Sequence, residues 1–243
     1  MIILFTDFGW NGPYVGLMKG VLQSSAPAIP IVDLLHDAPT FNPKASAYLL
    51  AALVKGFPPD SIFLCVVDPG VGDPERRPVV VKADGRWFVG PDNGLFNVLA
   101  NEAKDLQWWD ITWKPEKLSS TFHGRDLFAP IAARIAQQNL AGLIEQDAQK
   151  RILPDWSQQL AEIVYSDHYG NCMTGLQVES MCAECEIEIG KNTLSRAQTF
   201  SEVPQGRAFW FENAIGLVEI AINKGNAQEM LGINVGDAVE VVS

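Results

Sequence analysis

The run Ser61-Ile62-Phe63-Leu64-Cys65-Val66-Val67 is apolar without alternation, and it breaks abruptly into Asp68-Pro69-Gly70-Val71-Gly72. It is short and rich in β-branched residues, and its missing alternation predicts a strand buried on both faces, as in parallel sheets covered by helices. Ligands bind at the carboxyl ends of such strands. Asp68 is therefore placed where a site is built, with a Pro-Gly turn bending the chain away behind it.

Similar segments flank this strand. Further strands are expected over 2–5, 29–34, 79–82 and 87–89, and helices over 14–24, 43–53, 95–103 and 127–138. Alternation of the two kinds predicts an α/β fold, a layered, mostly parallel sheet with helices on both faces. Around Ile152-Leu153-Pro154-Asp155 the texture changes to short strand candidates between turn residues, over 162–166, 176–178, 185–189, 208–211, 218–221 and 238–242. We therefore expect an N-terminal α/β domain over 1–152 and a smaller C-terminal β domain over 153–243.

The chain has 243 residues and a formal net charge of -11, with no basic cluster larger than Arg76-Arg77 or Lys150-Arg151. That argues against nucleic acid as a partner. No run approaches the roughly 18 apolar residues of a membrane span, and the first apolar stretch is too short for a signal peptide. Four cysteines, at 65, 172, 182 and 185, are few for this length and fit a cytoplasmic protein. Cys182-Ala-Glu-Cys185 is a single C-x-x-C without a matching second pair, so no metal site is expected.

Four polar clusters stand beside apolar segments: Thr6-Asp7-Phe8-Gly9, Asp68 through Arg77, Gly90-Pro91-Asp92-Asn93-Gly94, and Phe122-His123-Gly124-Arg125-Asp126. The first three follow strands, so they converge on one edge of a parallel sheet. Asp92-Asn93-Gly94 also has the composition of a tight turn. His123 is one of three histidines, with His36 and His168, and it stands at a loop-to-helix junction beside Arg125 and Asp126. Asp-Phe-Gly and His-Gly-Arg-Asp occur in the wrong order for a protein kinase. Gly70-Val71-Gly72 lacks the lysine and hydroxyl of a phosphate-binding loop, and no dinucleotide fingerprint opens a helix.

Taken in order, Thr6-Asp7-Phe8-Gly9, Val67 through Gly72 with Arg76, Gly90 through Gly94, Phe122 through Asp126, the Asp167–Asn171 segment and residues 216–223 resemble the S-adenosylmethionine hydroxide adenosyltransferase family, related to fluorinases and chlorinases. The resemblance covers nearly the whole chain. It implies an N-terminal α/β domain with a C-terminal β-barrel-like domain, assembled as a homotrimer with active sites between subunits. It implies S-adenosylmethionine as substrate with no separate cofactor, and displacement at the ribose 5′ carbon by water or hydroxide to give adenosine and methionine. The family's Asp-Arg-His set falls on Asp68, Arg76 and His123, with Arg77 as the fallback for the second. Asp7 resembles the carboxylate that receives the ribose hydroxyls, and Phe41 an aromatic that packs on the ligand. Asp92 and Asn93 join the substrate set, Asp167 and Asn171 resemble partners of the methionine end, and Asn223 an adenine contact. Halogenating relatives replace the aspartate, so its retention points to water rather than halide. Ala214-Ile215 departs from the polar pair those relatives carry. Two other readings stay open, a non-catalytic adenosine or S-adenosylmethionine binding protein and a halide adenosyltransferase.

Overall fold

A strand covered on both faces has no polar side to show, and two of them lie side by side in the interior of the sheet. β1 (Ile2–Thr6) and β3 (Ile62–Val66) are buried along their whole length. In this computed structural model, which describes residues 1–182 and 184–242, packing divides the chain into two units. One comprises Met1–Ala47 and Phe57–Trp156, the other Tyr48–Gly56 and the chain from Ser157 onward.

The first unit is built on a seven-stranded sheet. Its other strands are β2 (Ile31–Leu35), β4 (Pro78–Ala83), β5 (Arg86–Pro91), β6 (Leu106–Ile111) and β7 (Leu143–Gln146), in the order β2-β1-β3-β5-β4-β6-β7. The pairs β1–β2, β1–β3 and β3–β5 are parallel, and β4–β5, β4–β6 and β6–β7 are antiparallel. Five strands thus point one way, while β4 and β7 oppose them. The reversal at β4 has a local cause. Asp84 and Gly85 join β4 to β5 with φ of 45° and 79°, the double left-handed turn that closes a two-residue hairpin and forces antiparallel pairing.

Helices α1 (Tyr14–Ser25) and α4 (Ala129–Ala136) cover one face, where Met18, Leu22, Ile131 and Ile135 pack on Ile2, Leu4, Ile62 and Leu64. The alternate residues of the same strands face the opposite layer. There Phe63 stacks on Phe88 at 5.0 Å and Phe88 meets Phe96 at 5.9 Å, beside α3 (Asn97–Glu102). Helix α2 (Pro43–Leu53) runs through the division between the units. Strands β6 and β7 went unread in the sequence. β7 is a four-residue edge strand with Ile144 exposed, so its alternation is too brief to register. The helix expected over 127–138 is shorter, because Gly124–Phe128 forms a π-helical turn that hands over to α4.

The second unit contains β8 (Leu160–Ser166), β9 (Cys172–Gln177), β10 (Glu186–Ile189), β11 (Asn192–Leu194), β12 (Ala208–Glu212), β13 (Leu217–Ile222) and β14 (Glu240–Val242), with helix α5 (Ala227–Leu231). They form one sheet ordered β12-β13-β9-β8 and another ordered β11-β10-β14. Single bridges, Glu162 with Ala238 and Arg196 with Trp210, link the sheets at both edges. The barrel-like expectation takes this open form among the described residues, because β11 and β14, at three residues each, are too short to carry a ladder around. Trp210 is fully buried in this core and donates its Nε1–H to the Cys185 carbonyl at 3.1 Å. Cys182 and Cys185 are joined by a disulfide, and Cys65 and Cys172 are buried free thiols.

Candidate active site

Strand order reverses direction at β1, since the chain passes outward to β2 and then crosses to β3. That switch point, at the carboxyl ends of β1 and β3, is where an open α/β sheet leaves a crevice. The parallel register pairs Thr6 with Val66, and the Asp7 N–H donates to the Val66 carbonyl at 3.3 Å. Asp7 and Asp68 are therefore delivered side by side, each just past the end of its strand.

A cavity of about 470 Å³ opens there. Asp7, Asp68, Phe41 and His123 line it, with Phe8, Tyr14 and Phe122 forming an aromatic wall. Tyr14 meets Phe122 edge-on at 5.2 Å, and Phe8 meets Phe122 at 5.9 Å. The wall was missed in the sequence, although Phe8 and Phe122 lie inside motifs already singled out. Tyr14 read only as a helix start.

Arg76 organises the polar end. Its Nη2 lies 2.8 Å from Asp68 Oδ2 and 2.8 Å from Nδ1 of His123, and both partners of the ion pair are almost wholly buried. A guanidinium only donates, so Nδ1 of His123 accepts and the neutral imidazole carries its proton on Nε2. Burial and the Arg76 charge hold the His123 pKa below its ordinary value, which favours this neutral form. Burial pushes the Asp68 carboxyl above the usual carboxylate range, against the pull of Arg76. Burial raises Asp7 as well, against the hydrogen bond that its Oδ2 accepts from the Phe41 N–H at 3.1 Å. Phe41 is 74% exposed and has φ 56°, an unusual backbone for a bulky residue. It is a ring held out at a mouth, not a core aromatic.

Arg77 takes no part. Its side chain is 57% exposed, with Nη1 3.7 Å from Asp110 Oδ2. The choice between the neighbouring arginines is made by the loop after Asp68. Turns from Asp68 to Val71, Gly70 to Asp73 and Asp73 to Arg76 fold it back on itself. Gly72, at φ 90°, lets it pass so close to the 119–121 segment that a Cβ there would stand 2.7 Å from the Ser120 carbonyl oxygen. Gly72→Ala is expected to lower stability by about 1–2 kcal/mol from backbone conformation alone. It should also depress turnover by moving Arg76. Thermal unfolding together with a turnover assay checks this; wild-type values in both would show that the loop path does not depend on Gly72.

Asp92 and Asn93 are not among the residues lining this cavity; they line a second one with Arg151. Asp92 Oδ2 accepts from Arg151 Nη1 at 3.1 Å, and Arg151 Nη2 also binds both oxygens of Asp110 at 2.9 Å. Asn93 donates to the Val67 carbonyl at 2.9 Å and accepts from the Leu95 N–H at 3.3 Å. This is the tight turn the composition allowed, and it ties the end of β3 in place one residue before Asp68.

In the second unit, Asp167, Asn171 and Asn223 gather at one end of the four-stranded sheet, because β9 runs antiparallel to both β8 and β13. Asp167 Oδ1 accepts from the backbone N–H groups of Tyr169 and Asn171, both at 2.9 Å, and Oδ2 accepts from the Asn171 amide at 3.2 Å. Asn223 donates to the Val203 carbonyl at 2.6 Å. Among the described residues no cluster of His, Cys, Asp and Glu could hold a metal ion, and no helix is long and apolar enough to cross a membrane.

A sheet that delivers a carboxylate–guanidinium–imidazole set and a second carboxylate to one switch-point cavity defines an α/β protein with a small-molecule site. Residues 2–144 match the model of the SAM hydroxide adenosyltransferase N-terminal domain, and residues 161–240 match that of its C-terminal domain. The chain belongs to the S-adenosylmethionine hydroxide adenosyltransferase family. It is 33% identical to an (R)-S-adenosyl-L-methionine hydrolase of Thermus thermophilus, over 99% of each chain. It is 32% identical to the protein of the same name from Salinispora arenicola, over 98% of this chain and 96% of that one. The crystal structure of an uncharacterized conserved protein from Thermotoga maritima superposes with a TM-score of 0.84 at 29% identity, covering 100% of both chains.

Proposed function

We propose that the protein hydrolyses S-adenosyl-L-methionine to adenosine and L-methionine. The observation that carries the reading is Arg76 Nη2 bridging Asp68 and His123 at 2.8 Å each, in a cavity that also presents Asp7. The full-length relatives named as hydrolases of the (R) form support it.

Displacement at C5′ needs an oxygen nucleophile and no acid, since the sulfonium leaves as neutral methionine carrying the C–S electron pair. Asp68 takes a proton from water as the C5′–O bond forms and the C5′–S bond breaks. Arg76 stabilises hydroxide character on that water, and the Nε2–H of His123 donates to it. Because Nδ1 of His123 is occupied by Arg76, the base is Asp68 rather than the imidazole. Asp7 accepts the ribose hydroxyls, an acceptor-only task. Phe41 packs on the nucleoside, and Asp167, Asn171 and Asn223 complete recognition of the substrate. Residues 1–152 and 153–243 act as the two domains of a cytoplasmic homotrimer with sites between subunits and no separate cofactor.

Incubating the purified protein with each sulfonium epimer of S-adenosylmethionine and resolving products by chromatography is expected to yield equimolar adenosine and methionine. Binding without product after long incubation would sink the reading. The rate should fall towards acid, on a limb lying above the ordinary aspartate range because burial raises Asp68. His123→Gln should lower the rate and keep that limb; its disappearance would make the imidazole the base.

A further inference from the structure

Of the three histidines, His36 is fully buried, and the chemistry above does not use it. We infer that His36 is a positioning residue that, through Thr6, sets the Asp7–Phe41 half of the cavity. The inference rests on the proposed reading of Asp7 as the carboxylate for the ribose.

A hydrogen-bond chain runs from the surface to the end of β1. Lys19 Nζ donates to Asp33 Oδ2 at 2.8 Å, and His36 Nε2 lies 3.1 Å from Asp33 Oδ1. Asp33 as a carboxylate only accepts, so Nε2 carries a proton, and in the neutral imidazole Nδ1 is the acceptor. Thr6 Oγ1, also fully buried, lies 2.9 Å from that Nδ1, so the hydroxyl donates to it. The same oxygen accepts the Phe8 N–H at 3.4 Å. The hydroxyl rotor of Thr6 is thereby pinned at the residue immediately before Asp7.

The backbone of His36 acts on the same segment. Its carbonyl accepts the Gly9 N–H at 2.6 Å, and the Ala38 N–H donates to the Thr6 carbonyl at 3.1 Å. Residues 6–9 and 36–38 are thus fastened together from both sides, and the second strand of this clasp leads directly to Phe41. There the Phe41 N–H reaches Asp7 Oδ2 at 3.1 Å. The indole of Trp10 covers the imidazole edge-on at 4.6 Å. Among the described residues His36 makes no hydrogen bond or ion pair with Asp68, Arg76 or His123, which are joined to one another. A device of this kind acts on the placement of the ribose carboxylate, and so on binding, while leaving the water-activating set in place.

The test uses Thr6→Val, which removes the hydroxyl at constant shape, and His36→Leu, which removes both ring hydrogen bonds. His36→Asn is the rescue, since its Oδ1 can again accept from Thr6. KM and kcat for adenosine formation, the dissociation constant of adenosine by calorimetry, and thermal unfolding are measured on each. Thr6→Val and His36→Leu are expected to raise KM and the adenosine dissociation constant in parallel by about tenfold, with kcat within about threefold of wild type. His36→Asn should recover most of the loss. Unchanged KM and adenosine affinity in folded Thr6→Val overturns the inference, as does a kcat that falls in step with binding, or an asparagine variant that binds no better than the leucine one. If the wild-type protein binds adenosine without hydrolysing S-adenosylmethionine, the functional reading fails alone, and the adenosine affinities still decide the role of His36.

Discussion

Asp68→Asn is expected to lower kcat for adenosine formation by about 10²–10⁴-fold, the range a positioned general base contributes. The substitution keeps shape and volume but removes the group proposed to take the proton. Asn cannot serve, and the Nδ1 of His123 remains engaged by Arg76, so no second base stands ready. Adenosine affinity should stay close to wild type, because the carboxylate proposed for the ribose is Asp7, whose Oδ2 accepts from the Phe41 N–H and not from any group of Asp68. Single-turnover chemistry and calorimetry separate the two effects. A variant that turns over within a fewfold of wild type would remove Asp68 from the role of base; one that loses adenosine binding as well would show that the site had collapsed.

The second large effect concerns stability as well as rate. Arg76→Met leaves Asp68 buried without its counter-charge, a loss of about 3–5 kcal/mol when one partner of a buried pair is removed. Arg77→Met, at an exposed and loosely paired position, should cost less than about 0.5 kcal/mol and leave kcat near wild type. The Arg76 penalty should also depend on pH. The folded-state pKa of Asp68 is raised even with Arg76 present, and losing the arginine raises it further. A group of this kind supports the fold below its unfolded pKa and withdraws that support as pH rises through its folded pKa. Arg76→Met should therefore lose least stability in acid and most towards neutral pH. Combining it with Asp68→Asn should recover part of the loss, because no buried charge then remains. Denaturant unfolding at several pH values measures this, and equal losses for the two arginine variants would overturn it.

The expectations from sequence succeeded where local chemistry is strong. An apolar run without alternation predicted the buried β3, and the carboxylates after β1 and β3 met at one edge because parallel strands share a carboxyl end. Phe41 was harder to place, since an aromatic after a turn reads equally as a ring packed on a ligand or as a core residue. Its left-handed backbone and exposure are set by the hydrogen bond to Asp7, 34 residues away. The packing of Asp92 and Asn93 was hard to read for a similar reason. Their partners, Arg151 and Val67, lie far along the chain, and composition carries no trace of them.

By itself, the sequence determined that this is an α/β chain with polar clusters at the carboxyl edge of its sheet, which family it resembles, and which residue types the site would hold. These follow from strand periodicity, turn residues and motif order, all local properties. Only the tertiary structure decided that Arg76 and not Arg77 joins Asp68, that His123 presents Nε2–H, and that His36 clasps the Asp7 loop. Each depends on where a loop lands after crossing other elements: the path past Ser120 that Gly72 permits, and the register of β1 against its neighbours. Contacts of 2.8–3.1 Å between residues dozens of positions apart are set by packing, and no stretch of sequence encodes them alone.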